Sequence, residues 1–218
     1  CESLTCSLFG SEKLYEDLTS KYKGKVRVLK APCMGKCDYA PALEVEHNHV
    51  DNATLDKVDQ VITNKSFHPV ISKFIDLDNY IKNGGYSLLK KLKSQEVTYE
   101  EISNVISESN LRGLGGAGFP ASKKWEFVRA NKGPRMMCIN GDEGEVGTFK
   151  DKYYLDTDPH RFLEGTLIAA HIVEAEKCFI YMRDEYPGII KILREEVKKL
   201  IKKGFVEENF IEVRRGAG

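Results

Sequence analysis

The stretch Leu111–Pro120, LRGLGGAGFP, decides how the second half of this chain is read. Gly113, Gly115 and Gly118 fit G-x-G-x-x-G, the glycine pattern of a dinucleotide-binding turn. Such a turn works when a strand feeds the glycines, a helix follows, and an acidic residue about 20 positions on takes a ribose. Here the preceding segment is TYEEISNVISESN, in which Thr98 and Glu101 form a capping box and Ile102, Val105 and Ile106 share a helical face. A helix feeds the glycines, and the acidic residues Asp142, Glu143 and Glu145 come only after the next strand. The ordinary Rossmann reading is therefore disfavoured. The glycines still need a cause: Gly113, Gly115, Gly116 and Gly118 let the backbone take positive φ and bring its N–H groups against a flat ring or a phosphate. Lys123, Lys124 and the start of the helix SKKWEF add cations and N–H donors suited to a phosphate. Phe119, Trp125 and Phe127 add flat surfaces, with core packing as the alternative for each, most of all for Trp125.

A second constellation lies downstream in INGDEGEVGTFKD, where Asn140, Asp142, Glu143 and Glu145 sit among glycines directly after PRMMCIN, which reads as a buried strand. Loops at strand ends build the ligand sites of α/β proteins. Carboxylates there repel phosphate, but they bond well to ribityl hydroxyls, ring N–H groups or a carboxamide. A solvated turn or a calcium-type acidic loop is the alternative, although the D-x-D-x-D-G-x5-E pattern is absent.

Around these motifs strand and helix patterns alternate, which implies an α/β fold. GSEKLYEDLTSKY reads as a helix with Leu14, Tyr15, Leu18 and Tyr22 on one face, KVRVLK as a strand, HNHVDN as a turn, and ATLDKVDQVI as a short helix. His47 and His49 could share a strand face and bind a metal, but a solvated turn is favoured. Residues 65–97 read as a connector with one or two short helices, broken by Pro69 and the Gly84–Gly85 pair. Later, GDEGEVGTFKDKYYLDTDPHRF reads as a long polar loop, FLEGTLIAAHIVEA and YPGIIKILREEVKKLIKK as helices, and KCFIYMR and NFIEVRR as strands. The expected division is 1–64, 65–97 and 98–218. With 33 basic and 33 acidic side chains in 218 residues and no long charge block, bulk-charge partners such as nucleic acid are not expected. No apolar run approaches the roughly 18 residues of a membrane span and no signal-peptide layout opens the chain, so a cytoplasmic protein without direct membrane insertion is expected. The chain opens on Cys1 and stops at RRGAG, which suggests truncation at both ends.

Four of the six cysteines fall in the first 37 positions, Cys1 and Cys6 as C-x4-C, Cys33 and Cys37 as C-x3-C. Four thiolates are what a 2Fe-2S cluster needs, two per iron. Zinc is the main rival, although its structural sites favour tighter C-x2-C knuckles, and free thiols are the third possibility. The arrangement in CESLTC and PCMGKC resembles the thioredoxin-like 2Fe-2S ferredoxins, whose ligands would here be Cys1, Cys6, Cys33 and Cys37. The gap between the pairs is shorter than usual there, and the opening strand expected before the first cysteine is missing.

GLGGAGFPASKKW followed by NGDEGEVGTFKD resembles the FMN-binding subunit of the NADH dehydrogenase module, the flavoprotein family of respiratory complex I with relatives in NAD-dependent formate dehydrogenases and NAD-reducing hydrogenases. The cysteine unit fused ahead of it makes the chain most similar to formate dehydrogenase beta subunits. The implied fold is a thioredoxin-like ferredoxin domain followed by the first part of a complex I type, non-standard Rossmann-like FMN-binding α/β domain. By this resemblance Gly113, Gly115, Gly116 and Lys124 would lie along FMN and its phosphate, and Asn140, Asp142 and Glu143 would hold the ribityl chain and ring. Phe119, Phe127 and Glu145 would line the place where NAD(H) stacks, with Glu145 orienting. Leu114 and Ser122 depart from the family, which has Arg and Gly there. The resemblance also implies a 4Fe-4S cluster in a C-terminal region beyond Gly218, and partners in a multi-subunit dehydrogenase: a 2Fe-2S gamma-type subunit and an iron–sulfur catalytic or relay subunit. The rivals are an ion-pumping electron-transport subunit that binds FMN and NADH, and a non-catalytic ferredoxin-like docking module.

Overall fold

The structure is a computed structural model and describes residues 1–114 and 116–216. The N-terminal unit begins with helices α1 (Leu4–Leu8) and α2 (Ser11–Lys21), and continues through a short 3-10 turn at Cys37–Tyr39 into the antiparallel pair β1 (Leu43–Val45) and β2 (Asn48–Val50), then α3 (Leu55–Thr63). Leu14 and Leu18 of α2 and Leu55, Val58 and Ile62 of α3 recur every three to four residues, so both helices turn an apolar stripe onto the hairpin residues Leu43, Val45 and Val50. Thr54 caps α3 by accepting the Lys57 N–H.

Two readings change here. KVRVLK is not in a ladder: Val28 packs on the core, but residues 25–30 have no partner strand among the described residues. Alternation makes a strand only when a neighbour takes its hydrogen bonds. HNHVDN is only half a turn, because Asn48 and His49 belong to β2, with His49 opposite Glu44.

The second unit comprises helices α4 (Leu77–Lys82), α5 (Ser87–Lys93), α6 (Tyr99–Glu108) and α7 (Ala121–Ala130), strand β3 (Met136–Gly141), helices α8 (Lys150–Thr157) and α9 (Pro159–Ile172), strand β4 (Lys177–Met182), helix α10 (Pro187–Lys202) and strand β5 (Ile211–Arg215). The three strands form a parallel sheet in the order β3-β4-β5, with α8–α9 and α10 as crossovers. Ile189, Ile190, Leu193, Val197 and Leu200 of α10 cover the sheet residues Cys178, Ile180 and Met182. Each such buried aliphatic side chain contributes roughly 1.5–3 kcal/mol. Leu77, Tyr86 and Leu89 join the same core, so α4 and α5 are part of its packing and the 65–97 segment connects only up to that point.

The capping box at Thr98 forms as expected, with the Glu101 carboxylate accepting the Thr98 N–H at 2.7 Å. The polar loop after β3 contains a helix instead, α8. Its sequence shows no apolar stripe because Leu155 is its one buried residue among those described. Its cap also comes from far off: the Glu143 carboxylate accepts the N–H groups of Asp151 at 2.8 Å and Lys152 at 3.1 Å. A carboxylate at a helix N-terminus stabilises that helix through its free N–H groups and dipole.

Candidate functional site

The glycine run forms a closed turn. Gly113 N–H donates to the Phe119 carbonyl at 2.9 Å, Ala121 N–H donates to the Leu111 carbonyl at 2.9 Å, and the Arg112 guanidinium spans the turn to the Gly118 carbonyl at 3.0 Å. Gly116 has φ +105° and Gly118 φ +60°, and a Cβ added to either would meet nothing within 4 Å. These glycines serve conformation and leave open space beside the backbone. Gly115 lies outside the described residues. The turn leads straight into α7, which has no side-chain cap and no acidic residue in its first turn. Lys124 stands exposed near that helix start, so free N–H groups and a cation are both available to an anion there. Phe119 and Phe127 are both exposed, their ring centres 6.0 Å apart. Trp125 packs with Leu92, Ile102 and Ile172, and so belongs to the core.

The other end of α7 is pinned where the sheet begins. Arg129 donates to the Ile172 carbonyl at 2.6 Å, and both Arg129 and Arg135 pair with Glu174. The glycine turn at the start of α7 and the acidic turn at the end of β3 both lie away from that pinned end. In the acidic turn the exposed Asn140 accepts the Asp142 N–H on Oδ1 at 3.0 Å, and the exposed Glu145 lies in a turn where its carbonyl accepts Thr148. Glu143 behaves differently from its neighbours. Its side chain is 1% exposed and turned inward, onto the α8 N-terminus and the Tyr186 hydroxyl at 3.0 Å. It shapes the loop instead of presenting its carboxylate to the open side.

The cysteines form two pairs. Cys33 and Cys37 have Sγ atoms 3.8 Å apart, while Cys1 packs on buried Cys6, Ala40 and Ala42. All four thiols are free. Among the described residues no three His, Cys, Asp or Glu side chains converge on one ion. Two thiol pairs are the donor set of a two-iron cluster, with two sulfurs per iron, and this is the group that fits. Burial alone would raise the Cys33 thiol, yet the N–H groups of Gly35 and Gly147, the Cys37 thiol and Arg183 together hold it below its ordinary value. Cys37 is pushed up, by burial first and then by Cys33. Gly147 belongs to the acidic turn, so the two candidate sites touch.

That contact is built by residues the sequence did not single out. Arg183, just past β4, donates to the carbonyls of Cys33 and Glu143, the latter at 2.8 Å. Tyr186 lies over Gly35, where φ is +62° and an added Cβ would overlap the ring. The one signal in the sequence was RDEYPG, a charged cluster at the end of a buried strand, where α/β sites gather. His49, expected in solvent, turns toward a cavity of about 230 Å³ between the units, bounded by Lys36, Asp51, Lys152 and Tyr186. Burial, then Lys36, pushes its imidazole down to about 4, so it is neutral and not a cation.

Fold and site define a class: an α/β domain with a three-stranded parallel sheet and a cysteine-bearing α/β unit seated at the end of that sheet. Residues 106–218, just over half of the chain, match the Nuo51 FMN-binding domain, and the chain belongs to that family. Residues 1–66 match the thioredoxin-like [2Fe-2S] ferredoxins. Among similar proteins is an NADH-quinone oxidoreductase subunit of Aquifex aeolicus, 43% identical over 65% of this chain and 35% of the relative. Its counterpart in Rhizobium meliloti is 38% identical over 70% of this chain and 39% of the relative. The chain thus spans little more than a third of the curated relatives it matches. An air-oxidized NAD+-reducing [NiFe]-hydrogenase structure shares the fold, with a TM-score of 0.78 at 24% identity over 99% of this chain and 41% of that one. No described helix is long and apolar enough to cross a membrane.

Proposed function

We propose that the chain is part of a subunit that moves hydride between NAD(H) and FMN and single electrons between FMN and iron–sulfur clusters. One observation carries the reading: Arg183 ties the Cys33–Cys37 loop to the acidic turn after β3, so the groups for which the two families are named would share a wall. Bound FMN supplies the exchange between two-electron and one-electron chemistry.

The chain's own residues bind and orient. Gly113, Gly115 and Gly116 bring backbone against the flavin, and Lys124 with the uncapped start of α7 holds the phosphate. Asn140 and Asp142 meet the ribityl hydroxyls, with Glu143 supporting them from behind. Phe119 and Phe127 offer the face on which a nicotinamide stacks, and Glu145 orients it. Cys1, Cys6, Cys33 and Cys37 bind the 2Fe-2S cluster. No side-chain nucleophile is required, since positioning of the rings does the work.

The partners in this reading are a 2Fe-2S gamma-type subunit and an iron–sulfur catalytic or relay subunit, with a 4Fe-4S cluster in sequence beyond this chain. The fused cysteine unit supports the beta subunit of an NAD-dependent formate dehydrogenase, or a related NADH dehydrogenase in the cytoplasm. The full protein is expected to purify yellow, to oxidise NADH with ferricyanide, and to bring its catalytic subunit with it. A colourless protein that FMN cannot reconstitute would overturn the reading.

A further inference from the structure

Arg183 is a cation almost withdrawn from solvent, 5% exposed, and each of its three donating nitrogens serves a different segment. Nη2 donates to the carbonyl of Cys33, which is 150 positions away. Nη1 donates to the carbonyl of Glu143 at 2.8 Å, and Nε to the Glu185 carboxylate at 3.1 Å, which compensates the buried charge. Tyr186, three residues on, grips the same two loops again: its ring covers Gly35, between the two cysteines, and its hydroxyl donates to Glu143 Oε2 at 3.0 Å.

We infer that Arg183 is a positioning residue that clamps the cysteine loop and the acidic turn into one unit, so that the cluster ligands and the flavin-side loop keep a fixed geometry. The functional half of this inference rests on the proposed cofactors; the clamp itself does not. A guanidinium suits the task because its planar fork serves several acceptors at fixed angles, whereas an ammonium is a single point of charge. Without it, the carbonyls of Cys33 and Glu143 and the Glu185 carboxylate lose this donor together, and Tyr186 is left as the side chain that spans the two loops. Groups that orient ligand residues in this way change metal retention by roughly 10–100-fold when removed. A nearby cation also favours the reduced, more negative cluster.

Hydrogen exchange on the full protein tests the clamp, comparing wild type with Arg183→Gln, Arg183→Lys and, as control, Arg214→Gln on the exposed end of β5. Peptides covering 32–37 and 142–149 should gain exchange together in Arg183→Gln, less so in Arg183→Lys, and not in the control. In the same proteins, iron should pass to a chelator roughly tenfold faster in Arg183→Gln, and the cluster's midpoint potential should fall. Exchange gained in 142–149 alone, or in neither peptide, overturns the clamp. An unchanged potential and iron-release rate overturn its bearing on the cluster. Should Arg183→Gln fail to fold, Arg183→Lys keeps the charge and is judged by the same paired peptides. A wild type that holds no iron removes the cluster reading while the exchange result still decides the clamp.

Discussion

Replacing Glu143 with Ala separates two roles for a residue in the most conspicuous acidic motif of the chain. The carboxylate is 1% exposed and accepts three hydrogen bonds, from Asp151 N, Lys152 N and the Tyr186 hydroxyl, at 2.8, 3.1 and 3.0 Å. Loss of a helix cap costs about 1 kcal/mol. Leaving a buried tyrosine hydroxyl without its acceptor costs about 1–3 kcal/mol more. The sum is roughly 2–4 kcal/mol, a large part of a typical domain stability. Urea unfolding of apoprotein, followed by circular dichroism, should show that loss, while Glu143→Gln keeps one oxygen acceptor and loses less. FMN retention should fall as a consequence of the loosened turn. If Glu143→Ala apoprotein unfolds within about 0.5 kcal/mol of wild type and yet loses FMN, the carboxylate acts on the ligand directly and the loop-shaping argument is wrong.

Gly116→Val places a β-branched residue at φ +105°, a strain of about 1–3 kcal/mol, and fills the space beside the turn; FMN content should drop sharply while the circular dichroism spectrum stays native. Glu145→Gln should raise the KM for NADH about fivefold, the equivalent of one hydrogen bond of about 1 kcal/mol, with FMN content unchanged; a lost flavin and an unchanged KM would reverse the assignment. Glu44 is pushed up from the ordinary 4.5 to about 7, by burial first and then by Asp184, with Arg215 opposing. A carboxyl raised on folding contributes stability that is fully present below about 4.5 and lost as pH rises through about 7. The stability of wild type relative to Glu44→Gln should therefore fall by roughly 2 kcal/mol between about pH 4 and pH 8, a figure discounted for solvent screening at a half-buried group and read from paired urea titrations.

Much of the second unit was legible because its strands are short apolar runs and its long helices carry stripes. PRMMCIN, KCFIYMR and NFIEVRR became β3, β4 and β5, although β3, read as buried, lies at the sheet edge with Met136, Cys138 and Asn140 exposed, and Pro187 opens α10 as its fixed φ favours. The glycine turn was legible for a similar reason, since positive φ at Gly116 and Gly118 is written in residue type. What escaped was everything that depends on distant segments. Helix α8 is capped by a residue seven positions before it begins, and KVRVLK had the alternation of a strand without a neighbour. Glu143 reads in sequence as a ligand-binding carboxylate, with no hint that Tyr186 and α8 would claim it. Arg183 and Cys33, 150 positions apart, share no local pattern at all.

The proposed function places a flavin site and a two-iron cluster in contact within one chain. It is tested most directly by electron paramagnetic resonance of the dithionite-reduced full protein and its Cys33→Ser variant, with FMN measured in the same samples. The expected result is a reduced 2Fe-2S signal in wild type that disappears in Cys33→Ser while FMN is retained. A wild type without that signal, or a signal that survives Cys33→Ser unchanged, would contradict it.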